Sequence, residues 1–83
     1  MAYLTESELA ALPIGTRVAF PNGASAYPDF SFGGRLEGAI SINEPESVWV
    51  RLDDHKPDLD EWDNQIQVWL YGGKDAAFDI VLA

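Results

Sequence analysis

Apolar and polar residues alternate through the middle of the chain. Val48, Val50 and Leu52 share one parity, and Trp49 and Arg51 the other. Twenty residues on, Ile66, Val68 and Leu70 alternate with Gln65, Gln67, Trp69 and Tyr71 in the same way. A period of two, rich in β-branched and aromatic residues, predicts strands with one face buried. Residues 47–52 and 65–71 are therefore expected as two strands. Residues 35–42 read as another, with Leu36, Ile40 and Ile42 on one face and Glu37 and Ser41 on the opposite one. Gly38, on the inward parity, marks a bend or bulge. Two shorter strands are expected at residues 16–20, where Val18 and Phe20 share a face, and at residues 78–82.

One helix is predicted ahead of these strands. Thr5 and Glu8 form a Thr-x-x-Glu capping box with Leu4 and Leu9 at the staple positions,. Pro13 disfavours helical geometry at Leu12, so the helix covers about two turns. Leu9 and Leu12 are expected to close one end of the core.

Between the predicted strands, turn residues gather at 43–46 and 72–75,. Residues 21–34, rich in Pro, Gly, Ser and aromatics, read as a long irregular loop. Tyr27, Phe30 and Phe32 are expected to fold back onto the core, because a thin core recruits nearby aromatics. The connection at 53–64 is acidic, carrying Asp53, Asp54, Asp58, Asp60, Glu61 and Asp63. A single helical turn near Leu59–Trp62 is expected there. Leu59 and Trp62 would pin the loop, and Asp63 and Asn64 would bond their own backbone to set the turn.

Five short strands at this spacing indicate a mainly β domain spanning residues 1–83. The order of short helix, strand, long loop, three-strand meander and closing strand resembles a five-stranded SH3-like barrel. In 83 residues the core is thin,. There is no cysteine to staple it,. Burial gained by forming a homo-oligomer is the expected remedy.

Charge removes several classes of function. Fourteen acids against five bases leave a net charge of −9. No basic stripe is available for nucleic-acid phosphate, and an acidic membrane repels the chain. The N-terminal residues lack the basic and apolar regions of an export signal, and a cytoplasmic location is expected.

The acidic loop fails the calcium-loop pattern. Counting from Asp58, Trp62 stands fifth, Asp63 replaces the turning glycine, and Trp69 occupies the twelfth position,. His55 is the only histidine, too few for a transition-metal site, and no nucleophile elbow is present,. Gly33-Gly34 and Gly72-Gly73 lack the spacing and following helix of a phosphate loop. No catalytic residue, metal or cofactor is expected.

Strand parity leaves one candidate surface. Trp49, Arg51, Gln67, Trp69 and Tyr71 all fall on the outward side of the two central strands. Contiguous exposed aromatics mark interaction surfaces. Either the helix or the 21–34 segment covers this strip, or a second copy does, or it holds a protein or small-molecule ligand.

Two resemblances bear on this surface. The run Val48-Trp49-Val50-Arg51-Leu52-Asp53, followed by Pro57-x-Leu59-x-x-Trp62-Asp63-Asn64, resembles a group of small proteins of environmental bacteria, some carried on integron gene cassettes. The likeness covers residues 34–70. It implies an SH3-like fold and no particular activity. Ile66-Gln67-Val68-Trp69 is similar to the Val-Gln-Ile-Tyr pore motif of type II dihydrofolate reductases, small SH3-like barrels that assemble around a pore. That likeness implies a reductase in which Gln67 contacts ligand and Trp69 stands in for the tyrosine. The family's basic pore has no counterpart in a chain of charge −9. The same charge also suggests an acidic decoy that occupies a DNA-binding protein.

Overall fold

The computed structural model describes residues 2–26 and 30–83. Its first element forms for the reason its sequence advertises. Glu8 N–H donates to Thr5 Oγ1 (3.2 Å), and Thr5 N–H donates to Glu8 Oε1 (2.9 Å). This capping box starts helix α1, Glu6–Ala10. The helix is shorter than two turns. Asn43 explains part of the early stop, since its Nδ2 reaches the carbonyls of Ala10 (3.0 Å) and Leu12 (2.9 Å). Leu4 and Leu9 are both buried in the core, with Leu12 packed against it.

The strands follow as β1 (Arg17–Phe20), β2 (Ala24–Ala26), β3 (Phe30–Phe32), β4 (Leu36–Asn43), β5 (Ser47–Leu52), β6 (Gln65–Trp69) and β7 (Val81–Leu82). A 3₁₀ helix, Pro57–Trp62, fills the acidic connection. Five strands make one antiparallel sheet in the order β6-β5-β4-β1-β7, while β2 and β3 form a separate hairpin. The protein is thus mainly β with a short N-terminal helix. Among the described residues no ladder joins β6 to β7, and the sheet is open between these two edges.

The hairpin corrects the expectation of an irregular loop at 21–34. Ala24 faces Phe32, and Ser25 faces Ser31. Gly23 permits the close entry, at a φ of +83°, where a Cβ would collide with the Phe32 carbonyl. Phe30 and Phe32 do pack against the core. Tyr27 lies outside the described residues.

The core occupies one face of the sheet. Val18, Phe20, Leu36, Ile40, Val48, Val50, Leu52 and Ile66 supply it from the strands. Leu4, Leu9, Leu59 and Ile80 close it from the connections. Parity therefore sorts β5 and β6 as the sequence predicts, but it fails in β4. Ile40 faces Val50, Ile42 faces Trp49, and Ser41 is the extra residue of a β-bulge. Past the bulge Ile42 turns to the outer surface and is 37% exposed. Gly38 is not the bulge. It lies flat against β5, and a Cβ there would sit 2.3 Å from the Arg51 carbonyl oxygen. Glycine is needed for close approach rather than for a bend.

Two polar side chains fix the connections. Asn64 has left-handed backbone (φ 58°) and follows Asp63 in the same region (φ 56°). Its Nδ2 donates to the carbonyls of Leu52 (3.1 Å) and Asp54 (3.0 Å), and its Oδ1 accepts from Lys56 N–H (2.8 Å). The start and end of the acidic loop are thereby held to one amide group. Leu59 is fully buried beneath it, and Trp62 meets Phe30 edge to face, with ring centroids 6.5 Å apart. Glu6 holds the opposite end of the molecule. Its carboxylate is buried and accepts from the N–H groups of Tyr71 and Gly72.

Candidate functional site

The outer face of β4, β5 and β6 carries the residues singled out by parity. Trp49 stands across from Gln67, and Ser47 from Trp69. Ile42 lies beside Trp49 on β4. The surface is ordered by its polar side chains. Gln67 Nε2 donates to Ser47 Oγ (2.9 Å), and Trp49 Nε1 donates to Glu44 Oε1 (2.9 Å). Ser41 Oγ bonds Gln65 Oε1 (2.5 Å), and Gln65 Nε2 donates to the Trp62 carbonyl (2.9 Å). The buried Ser47 and Gln65 are thus satisfied, as polar groups out of water must be.

Above this network the aromatics differ in exposure. Trp49 is half-buried, Trp69 is 44% exposed, and Tyr71 is 84% exposed. Trp69 forms a ridge between two hollows. One, of about 320 Å³, lies against Glu44, Pro45, Glu46, Ser47 and Gln67. The other, of about 360 Å³, runs along β6 and is walled opposite by Gly23–Ser25, Phe78 and Ile80. Gly23–Ser25 thus stand beside the ridge, and Trp69 keeps 44% of its surface exposed next to them.

Tyr71 departs from expectation. β6 ends at Trp69, where its partner β5 begins at Ser47, and the Tyr71 and Gly72 amides that follow donate to the Glu6 carboxylate. Tyr71 adjoins the strip from a turn rather than extending it along the strand. Arg51 shares the outer parity but points to the acidic loop, where its Nη2 pairs with Asp63 Oδ2 at 2.6 Å.

Three of the six acids of the loop, Asp53, Asp60 and Asp63, lie against a basic side chain. Arg17 holds Asp53 with both terminal nitrogens, the Nη1–Oδ1 bond being 2.8 Å. This hydrogen-bonded contact keeps the Asp53 carboxyl below its ordinary range and raises the Arg17 guanidinium. His55 Nε2 and Asp60 Oδ1 are 2.5 Å apart. Among the described residues no three acidic or histidine side chains converge on a point where a metal ion could sit. No helix there is long and apolar enough to cross a membrane.

Comparison of the chain with family models, curated proteins and solved structures gives no match. Family membership therefore does not assign this surface, and its chemistry rests on its own residues.

Sequence reasoning missed Ile42, Ser47 and Glu44. Parity puts Ile42 inward because a count along one strand cannot cross the bulge at Ser41. Ser47 and Glu44 flank the turn at Pro45, and turn composition alone does not say which polar side chain will reach back to a neighbouring strand.

Proposed function

We propose that the protein is a non-enzymatic binding or assembly module of the SH3-like barrel type, working through the outer face that carries Ile42, Trp49, Gln67 and Trp69. Tyr71 and Arg51 flank it. The observation that carries this reading is the Trp69 ridge, 44% exposed between two hollows on a face whose polar groups are already satisfied. Tryptophan offers large contact area at low entropic cost, and Ser47 and Gln67 beneath it need no reorganisation on binding. A homo-oligomer is the assembly this face suits, since the chain is small and lacks staples.

The reductase and decoy readings have less behind them. The Gln67 amide nitrogen is committed to Ser47 rather than free for a ligand, and the Arg51 cation is committed to Asp63. Asp53, Asp63 and Asp60 of the loop lie against Arg17, Arg51 and His55, which leaves three of its six acids without such a partner among the described residues, few for a phosphate-like array. Trp69→Ser is the test. It should lower the mass measured by light scattering or remove partners recovered in a pull-down. An unchanged mass together with an unchanged set of partners overturns the proposal.

A further inference from the structure

The hollow along β6 combines aromatic rings with a single charge. Phe20 and Ile66, both buried, form its floor, and the half-buried Phe78 stands in the wall opposite β6. Trp69 and Tyr71 rise at its rim. Among the described residues Asp79 is the one charged side chain that lines it. Asn22 Nδ2 donates to both oxygens of this carboxylate, at 3.2 and 3.1 Å, and so sets its direction. Asparagine is neutral and leaves the negative charge in place.

No basic side chain of the molecule answers that charge. Arg17, Arg35 and Arg51 pair with Asp53, Glu37 and Asp63. Lys56 lies over the Phe32 ring, and Lys74 borders a different hollow beside Ser7. Asp79 therefore faces the hollow as a carboxylate without a cation among the described residues.

An aromatic ring presents a negative face, which attracts a cation held within about 6 Å of it. The chain already uses this attraction once, with Lys56 Nζ 5.8 Å from the Phe32 centroid. A carboxylate in the same hollow adds to the pull, and a net charge of −9 concentrates cations around the whole molecule,. The floor decides which kind of cation fits. N–H groups carried onto Phe20 and Ile66 would lose bonds to water that these side chains cannot return. A quaternary ammonium has no N–H to satisfy. At about 360 Å³ the hollow sits at the small end of ligand sites, roughly 300–1,000 Å³, and so suits a compact ligand,.

We propose that this hollow binds a small quaternary ammonium ion, with its methylated head against Trp69 and beside Asp79. Tyr71 is held through its backbone, whose N–H donates to Glu6, while its ring, on a residue 84% exposed, is free to turn onto the ligand. The inference deepens the binding reading above and rests on it, since both use the exposed Trp69.

Choline chloride is the probe. Its control is the neutral alcohol in which a tert-butyl group replaces the trimethylammonium. Each is titrated into isotope-labelled protein at constant ionic strength and followed by NMR. Choline should shift the Trp69 indole and the amides of residues 67–71 and 78–80 saturably. The Trp49 indole, bonded to Glu44 outside the hollow, should stay where it is. The alcohol has the same shape without the charge and should bind about tenfold more weakly. Asp79→Asn keeps an acceptor for Asn22 and should weaken choline about fivefold, with no effect on the alcohol. No saturable shift up to about 50 mM choline overturns the inference. Equal affinity for choline and the alcohol overturns it too, as does wild-type choline affinity in Asp79→Asn. If choline fails to bind while Trp69→Ser lowers the mass or removes partners, the cation site falls and the module reading stands. If Trp69→Ser loses choline but keeps the wild-type mass and partners, the cation site stands and protein assembly through this face falls.

Discussion

Replacing Asn64 with alanine should be among the most damaging single changes outside the core. Three hydrogen bonds leave with the side chain, to Leu52 O, Asp54 O and Lys56 N. At about 1 kcal/mol net each, their loss costs about 3 kcal/mol. Alanine must also hold the left-handed φ of 58°, which asparagine tolerates better, at about 1 kcal/mol more,. The sum, about 4 kcal/mol, is a large part of the roughly 5 kcal/mol available at the lower end of the range for small domains. Asn64→Gly separates the two contributions, because glycine keeps the backbone region and loses only the bonds. It should cost about 1 kcal/mol less than alanine. Urea unfolding followed by tryptophan fluorescence measures both variants. An Asn64→Ala protein within about 1 kcal/mol of wild type would refute the claim that this amide clamps the loop.

Two further substitutions probe other parts of the argument. Gly38→Ala forces a Cβ to within 2.3 Å of the Arg51 carbonyl oxygen, so β4 and β5 must separate. Overpacking of this kind costs about 3 kcal/mol, and the thermal midpoint should fall by roughly 10–20 °C. A shift of only a degree or two would show that the strands part freely. Asp53 has its folded-state pKa depressed by Arg17. Its contribution to stability is therefore present above the unfolded pKa and lost as pH falls through the folded value. Asp53→Asn should flatten the acid limb of stability against pH, and since the pair is exposed, high salt should mimic the substitution. An acid limb unchanged by Asp53→Asn would place the titrating group elsewhere.

How legible this structure is from sequence depends on whether the determining signal is local. The capping box at Thr5 and Glu8 and the strand at residues 47–52 are each written in a few adjacent residues, and both appear where local chemistry puts them. The left-handed turn at Asp63-Asn64 also forms, but its side chains bond Arg51 and residues 52, 54 and 56 rather than their own backbone. The β2–β3 hairpin was less legible because its strands are three residues each, too short for alternation to show. The bulge at Ser41 depends on how β5 lies beside β4, and it reversed the side taken by Ile42. Glu6 is the clearest case of a distant determinant. In the sequence it suits a helix N-terminus, while in the fold its carboxylate also accepts from the Tyr71 amide, sixty-five residues away. Open strand edges are likewise invisible to a parity count, which sorts side chains and says nothing of where backbone groups point.

The bonds that tie the first residues to the last have a consequence for the order of folding. Leu4 exchanges bonds with Phe78 and Ile80, β1 pairs with β7, and Glu6 holds residues 71 and 72. The central strands β4, β5 and β6 close through short connections, so the loop-closure cost of their pairing is small. The N-terminal residues have no such local partner and must wait for the far end of the chain. During synthesis the meander can therefore form while Leu4 and Leu9 are still without their final neighbours. Completion of the core becomes the slow, late event that nonlocal contacts impose. Until then the Glu6 carboxylate lacks the Tyr71 and Gly72 amides that it accepts from in the finished fold, and it finds these donors only once the two ends of the chain have met.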